Sequence, residues 1–197
     1  MRIGIYGGSF DPVHYGHLLL AECAREQLEL DTVLFMPAAT APHKQQHTAT
    51  SATVRVEMLK LAIGGHRAFE VSDLEIERGG VSYTVDTLTS LRKQYADAEL
   101  VLLVGADTLT DMPNWKDPEK IVALARIGVV ERTGSAIQAT ALPGAEVLGV
   151  RMPRMDLSSR EMRAKVARRE SIRYCTPRAV EQFIDAGEFY RATVSKA

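Results

Sequence analysis

The stretch GGSFDPVHYGH, residues 7–17, is the most informative part of this chain. It follows a short apolar run at residues 3–6 and leads into a helical pattern that begins near Leu18. Glycines let the backbone come close to an anion. The N–H groups at a helix N-terminus, with the helix dipole behind them, favour negative charge at that point. A strand, a glycine-containing turn and a helix start in this order therefore predict a phosphate site at the tip of the first β-α unit.

Two histidines of this stretch, His14 and His17, are three residues apart. If both lie in the first turn of the helix, they project from one face of it. A single histidine is more often a hydrogen-bonded structural residue than a catalyst, but a pair one turn apart after GGSF favours a functional role. We therefore expect two imidazoles beside the phosphate.

Short apolar runs alternate with amphipathic ones along the chain. The apolar runs predict buried strands at residues 3–6, 33–36, 69–71, 100–104, 127–130 and 147–150. The amphipathic stretches predict helices at residues 18–28, 54–63, 84–95, 118–124, 160–168 and 177–186. This alternation predicts an α/β fold, a Rossmann-like parallel sheet in three layers with helices over it. Right-handed crossovers place the carboxyl ends of the strands at one edge, where ligands usually bind.

Some segments fit this alternation less directly. Leu74–Arg78 has the pattern of an additional edge strand or part of a hairpin. Residues 38–51 are polar and marked by proline, and we expect them to form a long loop. Residues 133–143 predict a second loop.

Length, charge and hydropathy narrow the class of protein. A chain of 197 residues suits one domain with a substantial core, and we expect residues 1–197 to form a single domain. The formal net charge of −1 provides no overall basic field for nucleic acid. No apolar run approaches the ~20 residues that span a bilayer, and no leader pattern precedes the first strand. We expect a cytoplasmic monomer or homodimer that binds neither nucleic acid nor membranes.

Three other interpretations of the first loop fit the sequence less well. Dinucleotide-binding oxidoreductases carry G-x-G-x-x-G and an acidic residue that closes the second strand. This chain instead has glycines at positions 4, 7, 8 and 16, and its second apolar run ends in Met36-Pro37. The Gly-Lys-Ser/Thr of a P-loop is absent. The His-x-x-His pattern of His14 and His17 could also belong to a zinc site. No cysteine or carboxylate stands at the spacing from them that zinc ligands usually have.

GGSFDPVHYGH resembles the HxGH signature of a superfamily of adenylyl- and cytidylyltransferases built on a Rossmann-like sheet. The second signature of that superfamily, Ile-Ser-Ser-Thr-x-x-Arg, is similar to LSSREMR at residues 157–163. Ser158, Ser159 and Arg163 match it, whereas Arg160 stands where Ser or Thr is usual. The usual residue caps the helix and can offer a hydroxyl to phosphate. We therefore expect Arg160 to replace the phosphate contact by charge but not the helix cap.

Further stretches resemble one family in particular, the bacterial nicotinate-nucleotide adenylyltransferases, over nearly the whole chain. SYTVDTL at residues 82–88, and GAD at residues 105–107 followed by Trp115, are more specific than the HxGH signature alone. The other matching stretches are PHK at 42–44, RxxM at 55–58, MPNW at 112–115 and SIRY at 171–174. The resemblance implies a nucleotidyltransferase fold. It also implies transfer of AMP from ATP to nicotinate mononucleotide (NaMN), giving deamido-NAD (NaAD) and pyrophosphate in NAD biosynthesis.

The resemblance also implies which residues serve each substrate. The expected catalytic residues are His14, His17 and Arg163, because such an enzyme aligns two anions and neutralises growing charge. The expected ATP-binding residues are Gly7, Gly8, Ser9, Phe10, His14, His17, Gly105, Asp107, Ser158, Ser159 and Arg163. The expected NaMN-binding residues are Lys44, Ser82, Tyr83, Thr84 and Trp115. Asp11 is expected to stabilise the turn of the loop rather than to take part in chemistry.

Two of the NaMN assignments have a direct physical reason. Trp115, the only tryptophan, offers a flat aromatic face to a pyridine ring, with a core tryptophan as the alternative. Thr84 begins a helical pattern, so backbone N–H groups there can receive the nicotinate carboxylate. A plain N-cap is the alternative interpretation of Thr84.

Mg²⁺ is the implied cofactor. It is carried with the ATP phosphates and keeps several waters, so we assign it no protein ligand.

Other functions remain open on the same scaffold. These are an adenylyltransferase that uses nicotinamide mononucleotide (NMN) or phosphopantetheine, and a non-catalytic nucleotide-binding module. NaMN and NMN differ by a carboxylate against an amide, which the spacing of residues does not decide.

Overall fold

The computed structural model of the protein describes residues 1–40, 50–132 and 142–191. Its strands are β1 (Arg2–Gly8), β2 (Thr32–Pro37), β3 (Phe69–Val71), β4 (Glu99–Gly105), β5 (Arg126–Arg132) and β6 (Val147–Met152). Its α-helices are α1 (Tyr15–Gln27), α2 (Ala52–Ile63), α3 (Leu74–Arg78), α4 (Thr84–Gln94), α5 (Ala106–Asp111), α6 (Pro118–Leu124), α7 (Ser159–Ala167) and α8 (Arg178–Ala186). A short 3-10 helix spans Met112–Asn114. All six predicted strands and all six predicted helices are confirmed, with small shifts at their ends.

The six strands form one parallel sheet in the order β3-β2-β1-β4-β5-β6. Ile3 of β1 pairs with Thr32 of β2 on one side and with Leu100 of β4 on the other. The strand order therefore reverses between β1 and β4. In open α/β sheets, ligands bind in the crevice outside the carboxyl ends of the strands at such a switch point. The predicted Rossmann-like parallel sheet is confirmed, and its crevice lies at the ends of β1 and β4.

Helices cover both faces of the sheet. Successive side chains of a strand point to opposite faces, and β4 shows this alternation. Leu100, Leu102 and Val104 pack in the hydrophobic cluster that includes residues of α4 and α6, whereas Val101 and Leu103 pack in the cluster that includes residues of α1 and α2. Continuous apolar runs are buried on both sides in this way, which produces the predicted three layers.

The prediction of a strand or hairpin at Leu74–Arg78 is wrong, because this segment forms α3. The Glu77 N–H donates to the Asp73 carbonyl at 2.8 Å, and the helix ends at Gly79, whose φ is +69°. In a strand of this alternating pattern Glu75 faces solvent. In the structure it is buried and accepts a hydrogen bond from the Thr87 hydroxyl at 2.7 Å. A tertiary contact of a polar residue therefore overrides the local pattern.

Some segments were not predicted, or lie outside the described residues. The sequence analysis did not identify α5 and the 3-10 helix, which directly follow β4. Two loops were predicted, at residues 38–51 and 133–143. Residues 41–49 of the first and 133–141 of the second lie outside the described residues. In the described ranges, no helix combines the length and the apolar character needed to cross a membrane.

Candidate active site

A cavity of about 1040 Å³ opens at the crevice between β1 and β4. Much of its wall comes from the loop after β1, the start of α4, the segment from the end of β4 to the residues after the 3-10 helix, and the start of α7. The expected site residues in the described ranges all line it: Gly7, Gly8, Ser9, Phe10, His14, His17, Ser82, Tyr83, Thr84, Gly105, Asp107, Trp115, Ser158, Ser159 and Arg163. Lys44, the remaining one, lies outside the described residues.

His14 and His17 lie side by side at the start of α1. His14 is the N-cap residue and His17 lies in the first turn, and their rings stack with centroids 3.7 Å apart and planes at 19°. The His17 ring accepts a hydrogen bond from the His14 backbone N–H, with 3.2 Å between that nitrogen and His17 Nδ1. A neutral imidazole carries one proton, so this acceptor role of Nδ1 assigns the proton to Nε2. His17 therefore has a defined tautomer with Nε2 as its donor.

Close packing around the histidines leaves little room for a side chain at Gly8, the last residue of β1, or at Gly16, in the first turn of α1. A Cβ at Gly8 would lie 2.9 Å from the Phe10 ring, and a Cβ at Gly16 would lie 3.0 Å from the His14 ring. Phe10 is buried and packs edge-on against His17, with centroids 5.1 Å apart. The Phe10 ring thus supports the loop from the core. Glycine at positions 8 and 16 lets the Phe10 and His14 rings approach the backbone.

Gly7 and Gly105 present a different case at the ends of β1 and β4. A Cβ at either position meets no atom within 4 Å. Neither packing within the protein nor a left-handed backbone conformation therefore requires glycine there. Both residues line the cavity, so the bare backbone leaves room for a ligand to approach closely. Asp107 follows in the first turn of α5 and is exposed at the cavity wall.

The start of α7 contacts the back of residues 9–14, the loop predicted to bind phosphate (the phosphate loop). The Ser159 hydroxyl donates to the Pro12 carbonyl at 2.8 Å, and Arg163 Nη1 donates to the Asp11 carbonyl at 2.6 Å. These bonds join residues about 150 positions apart in sequence. Arginine has five N–H donors, so the bond to the loop uses only part of the donor capacity of Arg163.

The expected loss of a helix cap at Arg160 is wrong. Ser158 is the N-cap of α7, and its hydroxyl accepts a hydrogen bond from the Glu161 N–H at 3.2 Å. Arg160 lies inside the first turn, is exposed and lines the cavity. The substitution at this position therefore costs no cap, and it adds a cation to the cavity wall.

A buried polar network, which the sequence analysis did not find, holds the loop from behind. One Asp11 oxygen, Oδ1, accepts hydrogen bonds at 2.6 Å from both the Thr50 and the Tyr190 hydroxyls. Tyr190 lies 179 positions away in sequence. The expectation that Asp11 stabilises the turn agrees with these contacts. No local pattern in the sequence indicates its two partners.

Arg55 of α2 lies behind the same loop and is fully buried, with 1% of its surface exposed. It donates to the Ser9 carbonyl at 2.9 Å and to the Ala38 carbonyl at 2.7 Å. Burial lowers the pKa of its guanidinium, and the nearby Asp11 carboxylate opposes this shift. A buried cation is costly unless it is paired and hydrogen-bonded, which explains why Asp11 and Arg55 lie together.

The other end of the cavity contains Trp115 and the start of α4. Trp115 is half-buried, follows the 3-10 helix and donates from Nε1 to Asp111 Oδ2 at 3.3 Å. Tyr83 is the N-cap of α4 and Thr84 its first residue, so the interpretation of Thr84 as the N-cap is wrong. The first N–H groups of a helix have no acceptor within it. Thr84 lines the cavity, so its N–H lies where a ligand group can use it.

Hydrogen bonds fix the segment before α4 on both sides. The Ser82 hydroxyl accepts from the Ala39 N–H at 3.0 Å, and the Ser82 N–H donates to the Thr40 carbonyl at 2.9 Å. Ser82 thus ties the segment to the chain that follows β2. On the other side, Thr87 bonds Glu75 as described above and accepts from Arg78 Nη2 at 3.0 Å. Glu75 also lines the cavity, although the sequence analysis placed its segment in a strand.

The described residues provide hydrogen-bond donors rather than a metal cage. Among them, no group of three or more His, Cys, Asp or Glu side chains is placed to hold a metal ion. Cys23 and Cys175 are both free. The donors at the cavity include backbone N–H groups, the paired imidazoles and the side chains of Lys116, Arg160 and Arg163. These groups suit phosphate oxygens.

The sheet order, the HxGH loop at the switch point and the serine- and arginine-bearing start of α7 define a nucleotidyltransferase of the cytidylyltransferase-like class. The sequence pattern of the family described as "Cytidylyltransferase-like" matches residues 5–165. Within this class, the chain belongs to the nicotinate-nucleotide adenylyltransferase family.

Two relatives show this membership. The protein of Thermomicrobium roseum named "Probable nicotinate-nucleotide adenylyltransferase" is 42% identical over 96% of this chain and 92% of its own length. A protein of the same name from Exiguobacterium sibiricum is 44% identical over 96% of this chain and 99% of its own. The fold is also that of the Plasmodium falciparum nicotinic acid mononucleotide adenylyltransferase complexed with NaAD. The TM-score is 0.79 at 19% identity, over 96% of this chain and 97% of the other.

Proposed function

We propose that this protein transfers AMP from ATP to NaMN and releases NaAD and pyrophosphate. One observation carries the proposal. A single cavity has the HxGH loop and the start of α7 at one end, and Trp115 with the start of α4 at the other. One end suits a triphosphate and the other a pyridine nucleotide. The family membership of the chain supports the same reaction.

The reaction needs alignment more than side-chain chemistry. An oxygen of the NaMN phosphate attacks the α-phosphorus of ATP, the new P–O bond forms, and the bond from that phosphorus to the β-phosphate oxygen breaks. The electron pair of the broken bond leaves with pyrophosphate. Because the attacking oxygen is already anionic, no side-chain nucleophile is required. Catalysis of this kind rests on positioning and on stabilising the charge that develops on the phosphoryl oxygens.

The histidines and the loop backbone bind the phosphates in this proposal. His17 donates from Nε2 to the α-phosphate as it becomes pentacoordinate, and His14 contacts a neighbouring phosphate oxygen. The bonded Nδ1 of His17 supports this role, because it turns the ring and sets its proton before ATP binds. Gly7, Gly8 and Ser9 bring the backbone close to the triphosphate, and the open space at the Gly7 Cβ position supports that approach.

Residues of α7 and the end of β4 bind the rest of ATP. Ser158, Ser159 and Arg163 hold the β- and γ-phosphates and help pyrophosphate to leave. Arg163 has donors beyond the one bonded to Asp11, so it can serve the loop and a phosphate together. Gly105 allows close approach of the nucleoside, and Asp107 accepts hydrogen bonds from the ribose.

In this proposal, backbone N–H donors and one aromatic ring bind the nicotinate group of NaMN. The N–H groups at Thr84 receive the nicotinate carboxylate, with Ser82 and Tyr83 shaping the segment. The pyridine ring stacks on Trp115. We also propose that Lys44, which is not among the described residues, contacts the phosphates. Mg²⁺ would be carried by the ATP phosphates without an assigned protein ligand, and it would offset their negative charge during the transfer. We further propose a single domain over residues 1–197.

A coupled pyrophosphate assay tests the proposal. Purified protein with MgATP is given NaMN, NMN, phosphopantetheine or no acceptor, and pyrophosphate release is followed with NaAD formation. We expect release with NaMN at a higher kcat/KM than with the other acceptors. Binding of ATP without pyrophosphate release with any of them would instead indicate a nucleotide-binding module. Fastest turnover of phosphopantetheine or NMN would assign another adenylyltransferase.

A further inference from the structure

Lys116, which no sequence pattern singled out, lies at the end of the cavity that contains Trp115. It directly follows Trp115 and lines the cavity. Its Nζ lies 3.0 Å from Asp86 Oδ2 and 3.3 Å from Asp86 Oδ1. The same Nζ lies 4.7 Å from the centroid of the Tyr83 ring, within the range of a cation–π contact. Lys116 thus bridges the segment of Trp115 and the first turn of α4.

Carboxylates also lie at this end of the cavity, together with Arg78, which bonds Thr87 and does not line the cavity. Asp86 lies in the first turn of α4, and the buried Glu75 carboxylate lines the wall. Three Lys and Arg side chains line the cavity in the described part of the chain, and two of them, Arg160 and Arg163, belong to α7. Lys116 is therefore the described cation next to the tryptophan. Without it, Asp86 opposes the positive helix end at Thr84 and repels a ligand carboxylate.

We propose that Lys116 determines the preference for NaMN over NMN, an inference that rests on the proposed function. Pairing with Lys116 neutralises the Asp86 carboxylate, which leaves the positive end of α4 at Thr84 unopposed. The carboxylate of NaMN gains from this charge, whereas the neutral carboxamide of NMN gains little. Lys116 is a specificity-determining residue that acts on the ligand charge and takes no part in the phosphoryl transfer.

The alternative role for this contact is an ordinary surface ion pair. Both side chains are 43% exposed without a ligand, and exposed pairs contribute little to stability. A pyridine nucleotide seated against Trp115 would cover this side of the cavity and strengthen the electrostatic interactions there. The difference between the two roles is therefore visible in ligand selectivity and not in the stability of the free protein.

Selectivity of the variant Lys116→Met, which keeps much of the apolar stem, tests the proposal. We measure kcat/KM for NaMN and for NMN at saturating MgATP, and we take their ratio. The ratio is expected to fall about tenfold, the effect of 1.4 kcal/mol of lost discrimination, with the larger change in NaMN. Lys120→Met, which removes an exposed lysine of α6 outside the cavity lining, is the matched control and should keep the wild-type ratio.

Variants of Asp86 provide a second test of the proposal. The double variant Asp86→Asn/Lys116→Met should recover part of the lost ratio, because the charge that repels the carboxylate is gone. Asp86→Asn alone should raise the ratio above wild type. An unchanged ratio in Lys116→Met, or equal losses for both nucleotides, would overturn the inference while wild-type turnover of NaMN leaves the proposed function intact. Absence of wild-type turnover with NaMN would instead defeat the proposed function itself.

Discussion

His17 shows how much of the site depends on the orientation of one side chain. Its Nδ1 accepts the backbone N–H of His14, and its ring lies between the stacked His14 ring and the edge-on Phe10 ring. Three contacts therefore hold the imidazole before any substrate arrives. Pre-organised donors of this kind need no rearrangement when charge develops in a transition state.

His17→Ala should lower kcat by at least ~100-fold, the usual effect of losing one transition-state donor. Steady-state turnover of ATP and NaMN measures it, with circular dichroism to show that the variant is folded. His66→Ala is a suitable control, because His66 bonds Glu22 and stacks on Phe69 away from the cavity lining. Near-normal turnover in a folded His17→Ala protein would contradict the assigned role.

Trp115 is half-buried at the cavity, so both a structural and a ligand-binding role are compatible with its packing. If its ring stacks on the pyridine, Trp115→Ala raises KM for NaMN more than KM for ATP. Trp115→Phe keeps an aromatic face and should recover part of the loss. Initial rates with each substrate varied in turn separate the two constants. Equal increases of both KM values would indicate a structural tryptophan.

At the level of elements, α7 joins the second sequence signature to the first. Its N-cap is Ser158, while Ser159 and Arg163, one helical turn apart, face the Pro12 and Asp11 carbonyls. Of the residues that match the signature, Ser158 caps the helix, and Ser159 and Arg163 donate hydrogen bonds to the loop. Arg160 belongs to neither task, which explains how the helix tolerates arginine there.

Ser158→Ala should reduce the free energy of unfolding by ~1 kcal/mol, the usual cost of a lost N-cap. It should also raise KM for ATP, because the start of α7 holds the phosphate loop. Urea denaturation and initial rates measure the two effects. Arg160→Ser is the matched comparison. It leaves the cap intact and should change the stability by less than ~0.5 kcal/mol, whereas a loss as large as that of Ser158→Ala would show that position 160 carries the cap after all.

Across the whole molecule, the most distant described contact at the site joins Tyr190 to Asp11. The hydroxyl lies 2.6 Å from the carboxylate, and burial together with this bond raises the pKa of Tyr190 above its usual range. The hydroxyl therefore stays protonated and remains a donor under assay conditions. Through Thr50, the same carboxylate also connects the loop to the residues just before α2.

Tyr190→Phe should lower both stability and turnover. A hydrogen bond to a charged group contributes ~1.5–3 kcal/mol, and without it Asp11 holds the loop less firmly. Thermal unfolding and kcat with ATP and NaMN are the measurements. Tyr95→Phe, at the opposite end of α4 from the cavity, is the control and should keep full turnover. Lower stability with unchanged kcat and KM would limit Tyr190 to a structural role.

The sequence alone determined the β-α alternation, the parallel sheet and the phosphate loop, because each depends on residues that are neighbours in the chain. Apolar runs predict strands, helical spacing predicts helices, and the turn chemistry of residues 7–17 is local. Only the tertiary structure decided that Leu74–Arg78 is a helix with Glu75 buried on Thr87, that Ser158 rather than position 160 caps α7, and that Tyr190 and Lys116 reach the site. The cap at Ser158 is local, because its hydroxyl bonds an N–H three positions away. The other features depend on contacts between side chains of different elements, such as the bond between Tyr190 and Asp11 across 179 positions, and no local sequence pattern predicts such contacts.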